Sequence, residues 1–237
     1  MKLICNTFDG NNDIWSVWVN NWKYFAEESK ADIVINNELL TDSKIGDVVW
    51  ASDIRGEKKY PLDIWTDQLK DLLVVLRDDL VILAQDDYIL EEWDLAAIQK
   101  AVLNMGRDDG LDCIHLSHQV KMGANNKLKF GRYFLNTQVA IWRRESLIEA
   151  LSVSLNPWCW ELRGQKLLKR PYRILYLGNE AVKYKALIKQ GKVVPGKFNI
   201  LEEDYIRLVE EKGLYNRPKI VGKIMSLIYF IKCLKSF

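Results

Sequence analysis

Cysteine is sparse in this 237-residue sequence: Cys5, Cys113, Cys159 and Cys233 are far apart, and no Cys-x-x-Cys occurs. Three of them sit inside apolar segments, as small buried residues do, and a reducing cytoplasm is the simplest setting. Charge of one sign is lacking too. With 34 Lys+Arg against 32 Asp+Glu the formal net charge is +2, so no global electrostatic case exists for a nucleic-acid partner. The opening Met1-Lys2-Leu3-Ile4-Cys5-Asn6 turns polar too soon for a signal peptide, and no apolar run reaches transmembrane length. Gly-x-Gly-x-x-Gly is missing, as is the P-loop lysine motif, which removes the standard dinucleotide site and the kinase-type phosphate cradle. No internal repeat or low-complexity linker divides the chain.

Enough apolar sequence is present to build a core. At 49% hydrophobic and 28% charged, the composition suits one sizeable globular domain, or a domain with a small appendage. Nine tryptophans, ten tyrosines and seven phenylalanines are a heavy aromatic load. Most of it builds core, although aromatic faces also suit the apolar C–H surface of sugars.

The chain is organised around Asp79 to Tyr88, where the apolar residues Leu80 to Ala84 run straight into Gln85, Asp86 and Asp87. Such a run without polar alternation fits a strand covered on both faces, as in the middle of a parallel α/β sheet, and ligands collect at the carboxyl ends of such strands. Two carboxylates placed there raise the free energy unless a cation or hydrogen-bond donors offset their charge. Hard divalent cations take one or two carboxylates plus substrate phosphates, which points to a phosphorylated or nucleotide-activated substrate. An acidic turn after a core strand is the competing interpretation.

Before that strand the pattern is β-α-β. Lys2 to Thr7 reads as a strand, with Asp13 available to cap a helix whose apolar face is Trp15, Trp18, Val19, Trp22, Phe25 and Ala26. Ala31 to Asn36 is a second strand and Asp47 to Trp50 a third. Pro61 suits the first turn of a helix carrying Leu62, Trp65, Leu69, Leu72, Leu73 and Leu76.

After the acids, Glu91 to Met105 reads as a helix with Trp93, Leu95, Ile98, Val102 and Leu103 inward, followed by a solvated turn containing Asp108 and Asp109. Asp112 to Leu116 is a strand, and Ser117 and His118 lie at its end. His115 and His118 point to opposite faces, so a shared metal is excluded; His118 is left to a structural role or to touching substrate. Val120–Met122 and Lys127–Phe130 form a hairpin over the site, Gln138 to Trp142 is a strand, and Arg143-Arg144-Glu145 starts the next helix.

In Asn156 to Gly164 a proline turn, Trp158 and Trp160 make an aromatic wall carrying Glu161. Partial burial there raises the acid's pKa and suits it to proton transfer; a structural Glu161–Arg163 neighbourhood is the alternative. Arg173 to Leu177 is a late strand ending at Gly178-Asn179-Glu180. Residues 191–198 read as loop and 202–212 as a short helix. Positions 1–218 form one domain. Positions 219–237 form a basic amphipathic tail that either lies on an anionic membrane or docks on the domain.

Taken together, Asn6 to Gly10, the Trp65–Leu76 helix running into Ile82 to Tyr88, Gln138 to Arg144 and Asn156 to Glu161 resemble bacterial GT-A-fold glycosyltransferases of surface-polysaccharide biosynthesis. The resemblance spans most of positions 1–180. It implies an α/β, GT-A-like (Rossmann-like) fold with a mixed, mainly parallel central sheet and helices on both faces. It further implies a hexosyltransferase using a nucleotide-sugar donor, a saccharide or lipid-linked saccharide acceptor, and Mn²⁺ or Mg²⁺ held by Asp86 and Asp87, where the usual motif is Asp-x-Asp.

The implied donor-side residues are Asn6, Thr7, Asp9, Gln85, Asp86 and Gln138, and the acceptor-side residues are Trp158, Trp160 and His118. Glu161 is implied as general base. The implied location is cytoplasmic, at the inner face of the membrane if the tail binds lipid. Two further classes compete. A sugar-nucleotide-forming nucleotidyltransferase would carry a basic triphosphate loop, which Asn6 to Asn12 is not. A non-catalytic carbohydrate-binding protein would have no need of Asp86-Asp87.

Overall fold

The computed structural model describes residues 1–61, 64–117, 134–177, 181–189 and 192–193. His118, the hairpin at 120–130, the strand end at 178–180, most of the loop at 191–198, the helix at 202–212 and the tail at 219–237 lie outside the described residues.

In chain order the strands are β1 (Lys2–Asn6), β2 (Asp32–Ile35), β3 (Val48–Trp50), β4 (Leu80–Gln85), β5 (Tyr88–Trp93), β6 (Cys113–His115), β7 (Ala140–Arg143), β8 (Ile174–Tyr176) and β9 (Val182–Ala186), with the short pair β10 (Ile188–Lys189) and β11 (Lys192–Val193) after them. The helices are α1 (Trp15–Ser29), α2 (Ala51–Arg55), α3 (Trp65–Val75), α4 (Leu95–Arg107), α5 (Arg144–Ala150) and α6 (Pro157–Arg163). Seven strands form the central sheet in the order β3-β2-β1-β4-β7-β6-β8. The pairs β3-β2, β2-β1, β1-β4 and β6-β8 are parallel, and among the described strands of this sheet only β7 runs against its neighbours.

Period-two alternation divides the core into two layers. Leu3, Cys5, Ile82 and Ala84 pack with Trp15, Trp18 and Trp22 of α1 and Ile98, Ala101 and Met105 of α4. The intervening Ile4, Val81 and Leu83 pack with Leu69, Leu72 and Leu73 of α3, Leu147 of α5 and Trp160 of α6. The apolar run of β4 is therefore covered on both faces. Each fully buried aliphatic side chain contributes roughly 1.5–3 kcal/mol, so a slip of this strand by one residue is strongly disfavoured.

Several boundaries differ from those the sequence predicts. Residues 91–93, expected as the start of a helix, are strand: β5 pairs antiparallel with β9 in a separate ribbon, Tyr88 stacks on Tyr184 at 4.0 Å between ring centroids, and α4 begins at Leu95 behind the capping side chain of Asp94. Within α4, Leu103 faces solvent and Ala101 and Met105 take the inward face. The N-cap position of helix α1 is Ile14 and not Asp13, and α3 starts at Trp65, beyond Pro61. Asp108 does form an exposed turn, bonded to Arg173 at 2.7 and 2.8 Å.

Candidate active site

The carboxyl ends of β1, β2, β4 and β6 share one edge of the sheet, and β7 enters the sheet there because it runs the other way. An amide ladder crosses three of these ends. Asn36 Nδ2 donates to Asn6 Oδ1 at 3.1 Å, and Asn6 Nδ2 donates to Gln85 Oε1 at 3.0 Å. From α3, Gln68 Nε2 donates to the carbonyls of Thr7 and Asn36 at 2.9 and 2.6 Å. Gln85 Nε2 is buried and has no hydrogen-bond acceptor among the described residues. A buried donor in that condition costs about 1–3 kcal/mol, a penalty that a bound ligand oxygen would remove.

Asp86 and Asp87 form the turn between β4 and β5. Asp86 is 6% exposed, and its Oδ2 accepts from Thr7 Oγ1 at 2.5 Å and Asn11 Nδ2 at 2.7 Å. Helix α1 fixes the backbone around the pair. Trp18 Nε1 donates to the Gln85 carbonyl at 3.0 Å, Trp22 Nε1 to the Tyr88 carbonyl at 2.8 Å, and Trp15 Nε1 to Thr7 Oγ1 at 2.8 Å. Asn21 from the same helix bonds both backbone groups of Leu90, next to the irregularity in β5. Asp87 is half-buried, and burial first, then the neighbouring Asp86, pushes its pKa up to about 8.

Across the edge, residues 136–138 lead into β7. Thr137 donates to Glu161 Oε1 twice, from its backbone N–H at 2.8 Å and from its hydroxyl at 2.7 Å. Burial raises the Glu161 pKa, and these two bonds oppose the rise. Asn136 Oδ1 accepts from the Gln138 N–H, and Ser117 Oγ lies 3.4 Å from Gln138 Oε1. The stacked pair Tyr88–Tyr184 feels the charge of these acids. Burial raises both phenols, Asp87 adds to the rise in each, and Glu161 adds to that of Tyr184. Asp87 and Glu161 thus share one electrostatic neighbourhood.

The structure therefore brings together Asn6, Thr7, Gln85, Asp86, Asp87, Gln138 and Glu161. Asp9 instead braces the backbone. Its two oxygens accept the N–H groups of Glu38, Leu39 and Leu40, tying the loop after β1 to the loop after β2. The aromatic wall expected from Trp158 and Trp160 is absent. On α6 a spacing of two residues points side chains in nearly opposite directions, so Trp158 is 53% exposed while Trp160 is fully buried against Trp65 and Trp142 with its indole on the Ala150 carbonyl. An acceptor cannot reach Trp160. His118 lies outside the described residues, and His115 is a neutral core residue stacked on Tyr176, its pKa lowered to about 3 by burial.

Sequence reasoning missed Asn11, Asn36, Thr137, Tyr88 and Tyr184. For the tyrosines a signal existed: Val182, Tyr184 and Ala186 alternate with Lys183 and Lys185, the pattern of a half-buried strand.

An open groove of about 900 Å³ runs elsewhere, between α1 and residues 42–49, and none of the edge residues lines it. Among the described residues no three His, Cys, Asp or Glu side chains converge as a metal cluster. Also among them, no helix is long and apolar enough to cross a membrane.

No family model matches the chain, and no curated protein matches it in sequence. Solved structures do. The mannosyltransferase PcManGT of Pyrobaculum calidifontis, in complex with GDP-Man and Mn²⁺, is similar with a TM-score of 0.50 at 14% identity, over 80% of this chain and 57% of that one. A fragment of TarS from S. aureus is similar with a TM-score of 0.49 at 11% identity, over 99% and 79%. CMP:2-keto-3-deoxy-manno-octonic acid synthetase complexed with CTP is similar with a TM-score of 0.46 at 13% identity, over 81% and 92%. The chain spans a little over half the length of the mannosyltransferase. At such identities likeness establishes architecture alone, and that architecture is the GT-A-like α/β fold, with its mainly parallel sheet and helices on both faces.

Proposed function

We propose that this chain is a metal-dependent glycosyltransferase that moves a sugar from a nucleotide-diphosphate donor to a saccharide acceptor in polysaccharide biosynthesis. The observation that carries the proposal is the pairing of two acid centres on one sheet edge, Asp86-Asp87 after β4 and Glu161 bonded to Thr137 just before the neighbouring β7, with Tyr184 feeling the charge of both Asp87 and Glu161. The mannosyltransferase that shares the fold was solved with GDP-Man and Mn²⁺. Asp87 suits a divalent cation: burial and Asp86 hold its carboxyl up, and among the described residues no cation is one of the groups that set its pKa. A bound Mn²⁺ or Mg²⁺ would neutralise the departing nucleotide diphosphate.

The chain's own residues then divide the work. Asp86 and Asp87 would hold the metal. Gln85 offers its buried amide N–H to a donor oxygen, and the loop Asn6 to Asp9 borders the nucleotide, with Asp9 fixing that loop against residues 38–40. Gln138 lines the donor from the β7 side. Glu161, deprotonated, takes the proton of the acceptor hydroxyl as its oxygen bonds to the anomeric carbon from the face opposite the nucleotide diphosphate, whose C–O bond breaks, so the sugar carbon is inverted. Exposed Trp158 supplies an apolar face on the acceptor side, and the sequence resemblance is the ground for assigning His118 to the same role.

Isothermal titration with a panel of nucleoside diphosphates and their sugars, with and without Mn²⁺, tests the proposal. Binding of one member that strengthens with Mn²⁺ is expected. A folded sample that binds none overturns it, and binding of a nucleoside triphosphate alone would assign the site to nucleotidyl transfer.

The acceptor is proposed to be lipid-linked, with the enzyme on the cytoplasmic membrane face. The sequence of 219–237 supports this, since Ile220, Ile224, Leu227, Ile228, Ile231 and Leu234 share one stripe at helical spacing and Lys223, Lys232 and Lys235 can reach anionic headgroups. Co-sedimentation with anionic liposomes should be lost in a chain ending at Pro218; equal binding by both, or unfolding of the shorter chain, rules it out.

A further inference from the structure

Glu161 can act as a base only if one carboxylate oxygen is presented to the acceptor and the group does not rotate. Helix α6 alone does not secure this, because a glutamate has three side-chain torsions and α6 spans just Pro157–Arg163. Nor, among the described residues, does an ion pair: burial and the two Thr137 bonds are what set its charge state. Both of those bonds end on the same oxygen, Oε1, at 2.8 and 2.7 Å, while Oε2 accepts none among the described residues. Thr137 is itself buried, so these donors stay out of competition with water.

Tyr88, whose phenol feels the Thr137 hydroxyl, follows Asp87 directly in the turn that α1 clamps.

We propose that Thr137 is a positioning residue, which anchors Oε1 of Glu161 through two hydrogen bonds so that Oε2 is the oxygen that receives the acceptor's proton. The proposal rests on the assignment of Glu161 as base.

The test compares Thr137→Val, which keeps shape and the backbone donor but loses the hydroxyl, with Thr137→Ser, which keeps both donors. Glu161 is followed by NMR in full-length protein carrying ¹³C at the glutamate δ-carbon, its signal identified by its loss in Glu161→Gln. Removing a donor that favours the charged form should raise the titration midpoint in Thr137→Val by about one pH unit, a tenfold change in proton affinity, while Thr137→Ser titrates as wild type. In turnover of the sugar nucleotide found by titration, Thr137→Val should lower kcat about tenfold, leave the donor KM unchanged and move the acidic limb of the rate profile upward.

A wild-type midpoint in Thr137→Val, or failure of Thr137→Ser to restore it, overturns the proposal. Should Thr137→Val melt below the assay temperature, Thr137→Ala carries the same comparison. Turnover that survives Glu161→Gln would instead remove the base assignment, and it is read independently of the NMR result.

Discussion

The indole N–H of Trp22 donates to the carbonyl oxygen of Tyr88 at 2.8 Å, one turn of α1 beyond the Trp18 indole that donates to the carbonyl of Gln85. The two tryptophans bracket Asp86 and Asp87 from below, and their rings stack on each other at 5.3 Å. A turn holding two carboxylates side by side is under electrostatic pressure to open, and these bonds oppose it. Trp22→Phe retains most of the packed volume and leaves the Tyr88 carbonyl without its donor, so it should cost about 1–3 kcal/mol of stability. Nucleotide affinity in the presence of Mn²⁺ should fall with it. A Trp22→Phe protein with wild-type melting and wild-type affinity would show that the ring matters only as core.

How far sequence displays such a site depends on whether the partners are near along the chain or only in space. Strand β4 was legible because five adjacent apolar residues have few other uses, and the carboxylates followed immediately. The tryptophans of α1 were legible as a buried face, whereas their donors' targets, 67 and 66 residues away, were not. Strand β5 was misread for the same reason: Glu91 and Glu92 suggest an exposed helix start until Lys185 and Lys183 of β9 are seen across from them. Thr137 carries no mark in the sequence at all, because its importance comes from Glu161 being folded against it.

Asp86 and Asp87 should respond differently to substitution. Asp86 accepts from Thr7 and Asn11, and Asp86→Asn puts an amide among those donors, so transfer should be abolished and stability reduced, by about 1–3 kcal/mol for a lost charged acceptor. Asp87→Asn should abolish transfer with no loss of stability. Thermal melting beside a transfer assay checks both. Wild-type activity in the two variants would reduce the acid pair to a turn.

Glu161 should set the acidic limb of the rate profile. Its pKa is raised by burial, so the deprotonated base is gained only as pH climbs past a value above the ordinary glutamate range, and kcat/KM should rise through that region. Glu161→Gln should lower kcat by roughly 10²–10⁴ and remove the limb. Persistence of the limb in Glu161→Gln would assign it to another group.

The stability of the metal-free protein should fall as pH rises from about 4 to about 8. The sign follows from Asp87, whose folded pKa lies at about 8, above its ordinary value of 3.8. A raised carboxyl binds its proton more tightly when folded, so its favourable contribution is complete below the unfolded pKa and is lost on the way up to the folded one. In Asp87→Asn no proton is released at this site, and the slope across that window should flatten, with the variant melting at or above wild type at pH 8. Mn²⁺ competes with that proton for the same carboxylate. Its stabilising effect on wild type should therefore be larger at pH 8 than at pH 5, and should be weak in Asp87→Asn at either pH. Scanning calorimetry at the two pH values, with and without Mn²⁺, separates these expectations. A slope that survives the substitution, or a Mn²⁺ shift independent of Asp87, would place both the proton and the metal elsewhere.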